Sequence, residues 1–290
     1  MSSPRIELLA PAKVNLFLKV IGRRSDGLHL LESLIVPVDL FDSLVLDLSS
    51  SSDGIVVETD SPDAPGGPTN LVYKAASLFL AEAGVSRPVR ISLKKRIPVG
   101  SGLGGGSSDA AAVLRGLNWV FDKPFKPEAL ATLGAKLGAD VPVFVFGRPA
   151  FVSGIGEIVC PVDLAAEMSL VLASDLHGLS TAAVYSKLQR TLTRTPSRTS
   201  KPAFVRGFMA PSDLVNDLEE PALELHTGIA SLKHRLLSLG AQGSMMSGSG
   251  SAVFGMFPDF QIAKMAAKKL RAEGIWSTAV RTLNRIPMEA

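Results

Sequence analysis

The sequence predicts an α+β protein, built of mixed or antiparallel sheets and helices and divided into two parts. Three observations predict it. Several short runs alternate apolar with polar residues, as strands with one wet face do, instead of forming the solid apolar runs of a buried parallel sheet. Helical stretches with recognisable start and stop signals lie between those runs. Near residue 155 the character of the chain changes, which divides it into an expected first domain, residues 1–155, and a second, residues 156–290. With 290 residues, 46% of them hydrophobic and 20% charged, the chain can bury a full core, and disorder is not the default.

In chain order, Val14–Val20, Ser43–Leu48, Ile55–Thr59 and Val89–Ile97 read as strands. In the last of these, Ile91, Leu93 and Ile97 share one face; Arg90, Ser92, Lys94 and Arg96 share the other, and Lys95 interrupts the apolar side. Helices are expected over Asn70–Ala83, with Asn70 as cap and Gly84 as stop, over Ser107–Val120, and over Pro127–Leu137 with proline in the first turn. The second part reads as a strand at Ser169–Ala173, then helices near Thr181–Gln189, Asp213–Leu225 and Ile229–Leu239. It ends with a strand at Ala252–Phe257, a helix at Gln261–Arg271 and a strand at Trp276–Arg281. Between Ala182 and Pro211 there is no acidic residue, while Lys187, Arg190, Arg194, Arg198, Lys201 and Arg206 are basic. The Thr/Ser/Pro-rich centre of that segment, Thr191–Ser200, reads as a solvated surface loop.

A net charge of +3 over 30 basic and 27 acidic residues is too balanced for a dedicated nucleic-acid binder, but suits a phosphorylated small molecule. Cys160 has no partner for an internal disulfide, which fits a reducing cytosol; in the stretch Glu157–Cys160 it reads as a buried small hydrophobe. No run approaches the ~18 apolar residues of a membrane span, and Met1–Glu7 has no basic-then-apolar export pattern. The expectation is a cytoplasmic enzyme of a small-molecule substrate, with no nucleic acid, membrane or obligate protein partner.

The strongest local signal is Ile97-Pro-Val-Gly-Ser-Gly-Leu-Gly-Gly-Gly-Ser-Ser-Asp109, with five glycines in seven positions between a strand and an alanine-rich helix. Backbone without Cβ atoms can turn tightly and press its N–H groups on a ligand, and a helix N-terminus favours phosphate oxygens. Ser107 and Ser108 stand where a hydroxyl could cap the helix, meet a phosphate or reach a magnesium ion. A Walker loop would need Gly-Lys-Ser/Thr, which is absent. Gly100, Gly102 and Gly105 match a dinucleotide fingerprint, but the preceding strand is charged on one face, unlike the buried parallel strand that fold requires. A functionless glycine turn would leave the entropy cost of ordering so many glycines without an offset. A phosphate cradle is the better reading.

Two further segments complete a pattern: Ala10-Pro-Ala-Lys13-Val-Asn15-Leu-Phe-Leu, and Gly243-Ser-Met-Met-Ser-Gly-Ser-Gly250-Ser-Ala252. With the glycine loop between them, in this order and spacing, the chain resembles the GHMP kinases. Arg24-Ser-Asp26-Gly27-Leu-His29 and Gly138-Ala-Asp140-Val-Pro142-Val-Phe144 narrow the resemblance to the branch that phosphorylates diphosphocytidyl-methylerythritol.

That resemblance implies a ribosomal-S5-like N-terminal domain and a ferredoxin-like C-terminal domain, with ATP between them and Mg2+ as cofactor. It also implies roles. Asp140 would take the proton of the substrate hydroxyl, and Lys13 would stabilise charge and hold Asp140 ionised. ATP would contact Pro98, Val99, Gly100, Ser101, Gly102, Leu103, Gly104, Gly105, Gly106, Ser107 and Ser108, with Asn70, Leu71 and Lys95 near the adenine. The substrate would meet Asn15 and His29, and Gly248, Ser249 and Gly250 would close the cleft. Magnesium would rest mostly on ATP phosphates, with Ser108 as a candidate protein ligand.

Ordinary readings compete for each: a solvated strand lysine for Lys13, a helix cap or turn for Asp140, a cap for Asn70, a surface residue for His29, a tight turn for Gly248–Gly250. His177, His226 and His234 show no metal-ligand spacing. Related enzymes carry tyrosine before the histidine, where this chain has Leu28, so stacking on cytosine worth ~1–3 kcal/mol has to come from elsewhere or is lost. Other GHMP substrates (mevalonate, homoserine, a sugar), an inactive nucleotide-binding regulator on this fold, and a Rossmann dehydrogenase are the alternatives.

Overall fold

The computed structural model describes residues 5–48, 54–188 and 210–287. Two long strands, β1 (Arg5–Arg23) and β2 (His29–Asp47), form an antiparallel ribbon at the centre of the first sheet. The order is β3 (Ile55–Thr59), β4 (Val89–Lys94), β2, β1 and β8 (Val215–Asn216), with β5 (Ala150–Gly154) and β6 (Ile158–Pro161) branching from β2. β4 runs antiparallel to β2 and parallel to β3, so the strand that feeds the glycine loop belongs to a mixed sheet. Its alternation is the one read from sequence: Val89, Ile91 and Leu93 are buried, and the residues between them face outward.

Four helices cover one face of this sheet: α1 (Leu71–Glu82), α2 (Gly105–Val120), α3 (Pro127–Ala135) and α4 (Val141–Phe146). The second sheet is wholly antiparallel, in the order β11 (Trp276–Arg281), β7 (Ser169–Ser174), β10 (Val253–Phe257), β9 (Gly243–Met246). With α7 (Gly228–Ser238) and α8 (Phe260–Ala272) this is a ferredoxin-like arrangement, to which α5 (Thr181–Lys187) and α6 (Glu219–Leu225) are added.

Among the described residues three large apolar clusters hold the molecule, beside a small fourth one of Ile35, Val143, Ala150 and Val152. One lies between the first sheet and α1–α4, and one between the second sheet and its helices. The third joins the two halves: Ala12, Val14, Leu16, Val36 and Leu103 pack with Leu170, Leu172, Met245, Phe254 and Val280. β1 is therefore covered on both faces, which accounts for its buried run from Ala10 to Leu18. After β11 the chain crosses back to the first half: Thr282 bridges Val38, and the N–H groups of Leu283 and Ile286 donate to Pro37 and Gly147 carbonyls at 2.8 Å each.

Several expectations need correction. The change near residue 155 falls inside the β5–β6 hairpin, so the first sheet continues to Pro161 and β8 later returns to it. The expected helix Asp213–Leu225 is instead a 3₁₀ turn at Pro211–Asp213, the short β8, and α6. Cys160 is exposed, because edge strand β6 has no second layer over that face. The basic loop Thr191–Ser200, with Arg190, Arg194, Arg198, Lys201 and Arg206, lies outside the described residues. No helix among the described residues is long and apolar enough to cross a membrane.

Candidate active site

A cleft of about 1090 Å³ lies between the halves, and nearly every residue singled out in the sequence lines it. Two do not. Leu103 is apolar and turns into the shared core, leaving its carbonyl to accept the Lys13 N–H at 2.9 Å. Ser108 sits in the first turn of α2 with its side chain inward, sealed and without a hydrogen-bond partner among the described residues; Ser107 lines the cleft instead. Neither serine caps α2, whose N-cap is Gly104.

The glycine loop owes its shape to close approach. Gly104 has φ +75°, and a Cβ there would stand 2.9 Å from Lys13 Cγ and 3.1 Å from the Phe144 ring. At Gly102, φ +80°, a Cβ would collide with the Ser247 carbonyl at 2.4 Å. Glycine is thus required on both counts, conformation and space. The result is a shallow backbone cradle at the N-terminus of a sixteen-residue helix, a fit for the anionic oxygens of a triphosphate. Ser101 Oγ tightens its entry by donating to the Pro98 carbonyl at 2.7 Å. The second half backs the loop: Ser247 Oγ donates to Gly102 O at 3.2 Å, and Ala252 N–H to Ser101 O at 3.0 Å.

Lys13 and Asp140, far apart in sequence, meet here. Lys13 Nζ, almost fully buried, lies 3.5 Å from Asp140 Oδ2 and donates to Asn15 Oδ1 at 2.5 Å. Asn15 is fixed in turn, its Nδ2 donating to Ser33 Oγ at 2.8 Å, and Ser33 Oγ to the Phe17 carbonyl at 2.7 Å. A buried ammonium held by a carboxylate and an amide is a positioned positive charge, not a solvated strand lysine. Asp140 immediately precedes α4 but makes no capping bond, so its one-third-exposed carboxylate is left to the cleft. Gly248 closes over this pair; a Cβ there would meet Lys13 Nζ at 3.0 Å. Asn216 holds that turn, donating to the Met246 and Gly248 carbonyls at 2.9 and 2.8 Å.

Asn70 does cap α1, accepting the Val72 N–H at 2.9 Å, and Leu71 lies against Gly106 at the same end of the cleft. The Lys95 ammonium is bound by Asp42 and, at 2.7 Å, by Asp109 Oδ2. Burial works to lower its pKa, but the two carboxyl groups outweigh this and raise it.

Beyond Asp140 the cleft continues to a ring pair that the sequence did not reveal. Tyr185 of α5 packs on His29 with ring centroids 5.0 Å apart. Burial, then the Asp140 charge, pushes the tyrosine hydroxyl up to about 12, and burial with the Arg23 charge pushes the His29 pKa down. Both rings are therefore neutral at physiological pH. Thr181 Oγ1 and Ser249 Oγ, 2.8 Å apart, join α5 to the closing turn.

The chain matches the GHMP kinases N terminal domain over residues 70–148 and the GHMP kinases C terminal domain over 204–275. It is 41% identical over 286 residues to a 4-diphosphocytidyl-2-C-methyl-D-erythritol kinase of Citrifermentans bemidjiense, covering 96% of this chain and 99% of that protein. The chain belongs to the GHMP kinase family. Another member, the 4-diphosphocytidyl-2-C-methyl-D-erythritol kinase of Geobacter metallireducens, is 40% identical over 280 residues, with 96% and 99% coverage. Among solved GHMP kinase structures, a 4-(cytidine 5'-diphospho)-2C-methyl-D-erythritol kinase crystal structure superposes with a TM-score of 0.81 at 40% identity, covering 96% of this chain and 99% of that one.

Proposed function

We propose that this GHMP kinase transfers the γ-phosphoryl group of ATP to the 2-hydroxyl of 4-diphosphocytidyl-2-C-methyl-D-erythritol. The products are ADP and the 2-phosphate, made in the cytoplasm as a step of non-mevalonate isoprenoid synthesis. One observation carries the mechanism: the Lys13 stem packs so close on the glycine cradle that a Cβ at Gly104 would stand 2.9 Å from its Cγ, and its ammonium lies 3.5 Å from the Asp140 carboxylate. Phosphoryl transfer asks the protein mainly for placement and charge stabilisation. The backbone N–H groups at the start of α2 would hold the phosphates, with Asn70 and Leu71 beside the base. Lys13 would face the transferring group, and Asp140 would take the hydroxyl proton as the bond to phosphorus forms.

Neutral His29 offers one donor and one acceptor, which suits an uncharged pyrimidine edge, and Tyr185 supplies the ring that Leu28 does not. Among the described residues no group of three or more acidic, histidine or cysteine side chains could hold a metal. Magnesium would accordingly ride on the triphosphate and neutralise part of its charge.

The test is an ADP-release assay offering diphosphocytidyl-methylerythritol, mevalonate and homoserine in parallel. Turnover is expected with the first alone and only with magnesium. Turnover with either of the others but not the first would refute the substrate assignment. Asp140→Asn should lower kcat by ~10²–10⁴-fold while ADP affinity is kept; full activity in that variant would remove Asp140 as the base.

A further inference from the structure

Beside the glycine cradle lies an ionic cluster to which the proposed transfer step assigns no role, although two of its members, Lys95 and Asp109, reach the wall of the cleft. Asp42 of β2, Lys95 just past β4 and Asp109 of α2 are all nearly sealed from solvent, at 0%, 7% and 3% side-chain exposure. Lys95 Nζ donates to both carboxyl groups. Asp42 also accepts the backbone N–H groups of Arg96 and, at 2.9 Å, Ile97, the last residues before the loop. The strand that enters the glycine loop is therefore tied to Asp42, and the helix that leaves it is tied through Asp109. Both ties end on one ammonium. Gly105, the first residue of α2, lies so near that a Cβ would stand 3.1 Å from Lys95 Nζ.

Such a cluster is a poor source of stability. Desolvating its charges costs about what their attraction returns, and apolar replacements of similar volume are often as stable or more so. What it supplies is a fixed distance between three elements. Asp109 Oδ1 has no partner among the described residues, so only one oxygen of this carboxyl is engaged, and it is the one on Lys95. Resting on the reading of Pro98–Ser108 as the triphosphate cradle, we propose that Asp109 is a positioning residue for the nucleotide. Through Lys95 it fixes the N-terminus of α2, and with it the N–H groups of Gly105 to Ser107, in register with the strand end.

The opposing reading, a cluster that only stabilises the fold, makes nucleotide affinity follow the melting temperature. Asp109→Leu and Asp109→Ala both cut the tie while leaving the Lys95–Asp42 pair neutral. Asp109→Asn keeps an acceptor for Lys95. ADP affinity by calorimetry, which needs no acceptor alcohol, and KM for ATP are measured on the folded variants beside their Tm. The expected result is a rise of about tenfold or more in ADP Kd and ATP KM for the Leu or Ala variant. KM for the alcohol should stay level and Tm should be unchanged or higher in Asp109→Leu. The Asn variant should remain within about threefold of wild type. A folded Leu or Ala variant with wild-type ADP affinity overturns the proposal, and so does an Asn variant as impaired as they are. Wild-type protein that binds ADP but transfers no phosphoryl group to any alcohol would instead strike the functional reading and leave this one standing.

Discussion

Asp42 and Asp109 share one ammonium, and two carboxyl groups on one cation in a dry site cannot both stay ionised without cost. Burial first, then the Asp42 charge, outweighs the Lys95 charge and pushes the Asp109 pKa up to about 8. At neutral pH the cluster therefore holds an extra proton and carries no net charge beside the glycine loop. The effect on stability has a definite sign. A folded pKa above the unfolded value of about 3.8 gives a contribution that is complete below that pH and is lost as pH rises towards 8. Asp109→Asn has no such titration. Its Tm, compared with wild type by thermal melts at pH 4 to 9, should gain steadily on wild type between pH 4 and 8 and level off above. A constant offset across that range would show that Asp109 does not titrate there. Residues of this kind are hard to read in a sequence. Lys13 and Asp140 were paired only through the family resemblance, since 127 positions separate them. Ser33, Asn216 and Ser247 gave no signal, because a hydroxyl or amide declares its role only once its partner arrives from a distant strand.

At the level of elements, the acceptor recognition proposed above turns on α5. It is a seven-residue helix started by Ser180, whose Oγ accepts the Ala183 N–H, and it carries Thr181 and Tyr185 into the cleft. Tyr185→Ala should raise KM for the cytidyl alcohol by about ten- to hundredfold, the ~1–3 kcal/mol of one base–ring contact, with KM for ATP nearly unchanged. Steady-state kinetics with each substrate varied in turn would check it; an equal rise in both constants would mean that α5 orders the whole cleft.

Helix α5 was legible as a helix, but its aromatic side chain could not be placed against His29 without the fold. Other elements were obscured for identifiable reasons. The nineteen-residue strands were seen only in fragments, because Pro11 and the shifts of register beside it break the pattern that a strand normally shows. α4, with the sequence Val-Pro-Val-Phe-Val-Phe, carries β-branched and aromatic residues that favour strands, and only its burial under α2 and α3 makes it a helix. The cap Asn70, the stop at Gly84 just past the end of α1 and the alternation of β4, by contrast, act within a few residues and could be read directly.

For the whole molecule, the shared third core and the return of residues 282–286 to the first half tie the two parts into one packed body. The two tryptophans report on it separately, Trp119 from α2 and Trp276 from β11. Single-tryptophan variants, Trp119→Phe and Trp276→Phe, should show the same unfolding midpoint in urea. Two midpoints would mean that the halves melt independently. The ferredoxin-like half and the mixed first sheet followed from pattern and resemblance together, whereas the seam between them did not, since apolar residues on two separate strands do not announce that they face one another.

That seam has a consequence for the nascent chain. The outer side of β1, made among the first twenty residues, is clothed by β7, β9 and β10, whose residues lie beyond position 168. During synthesis the opening ribbon stays bare on one flank until most of the polypeptide has emerged. A ribosome stalled midway would leave an oily strand open to strangers, and the cell's chaperones are the first that should find it.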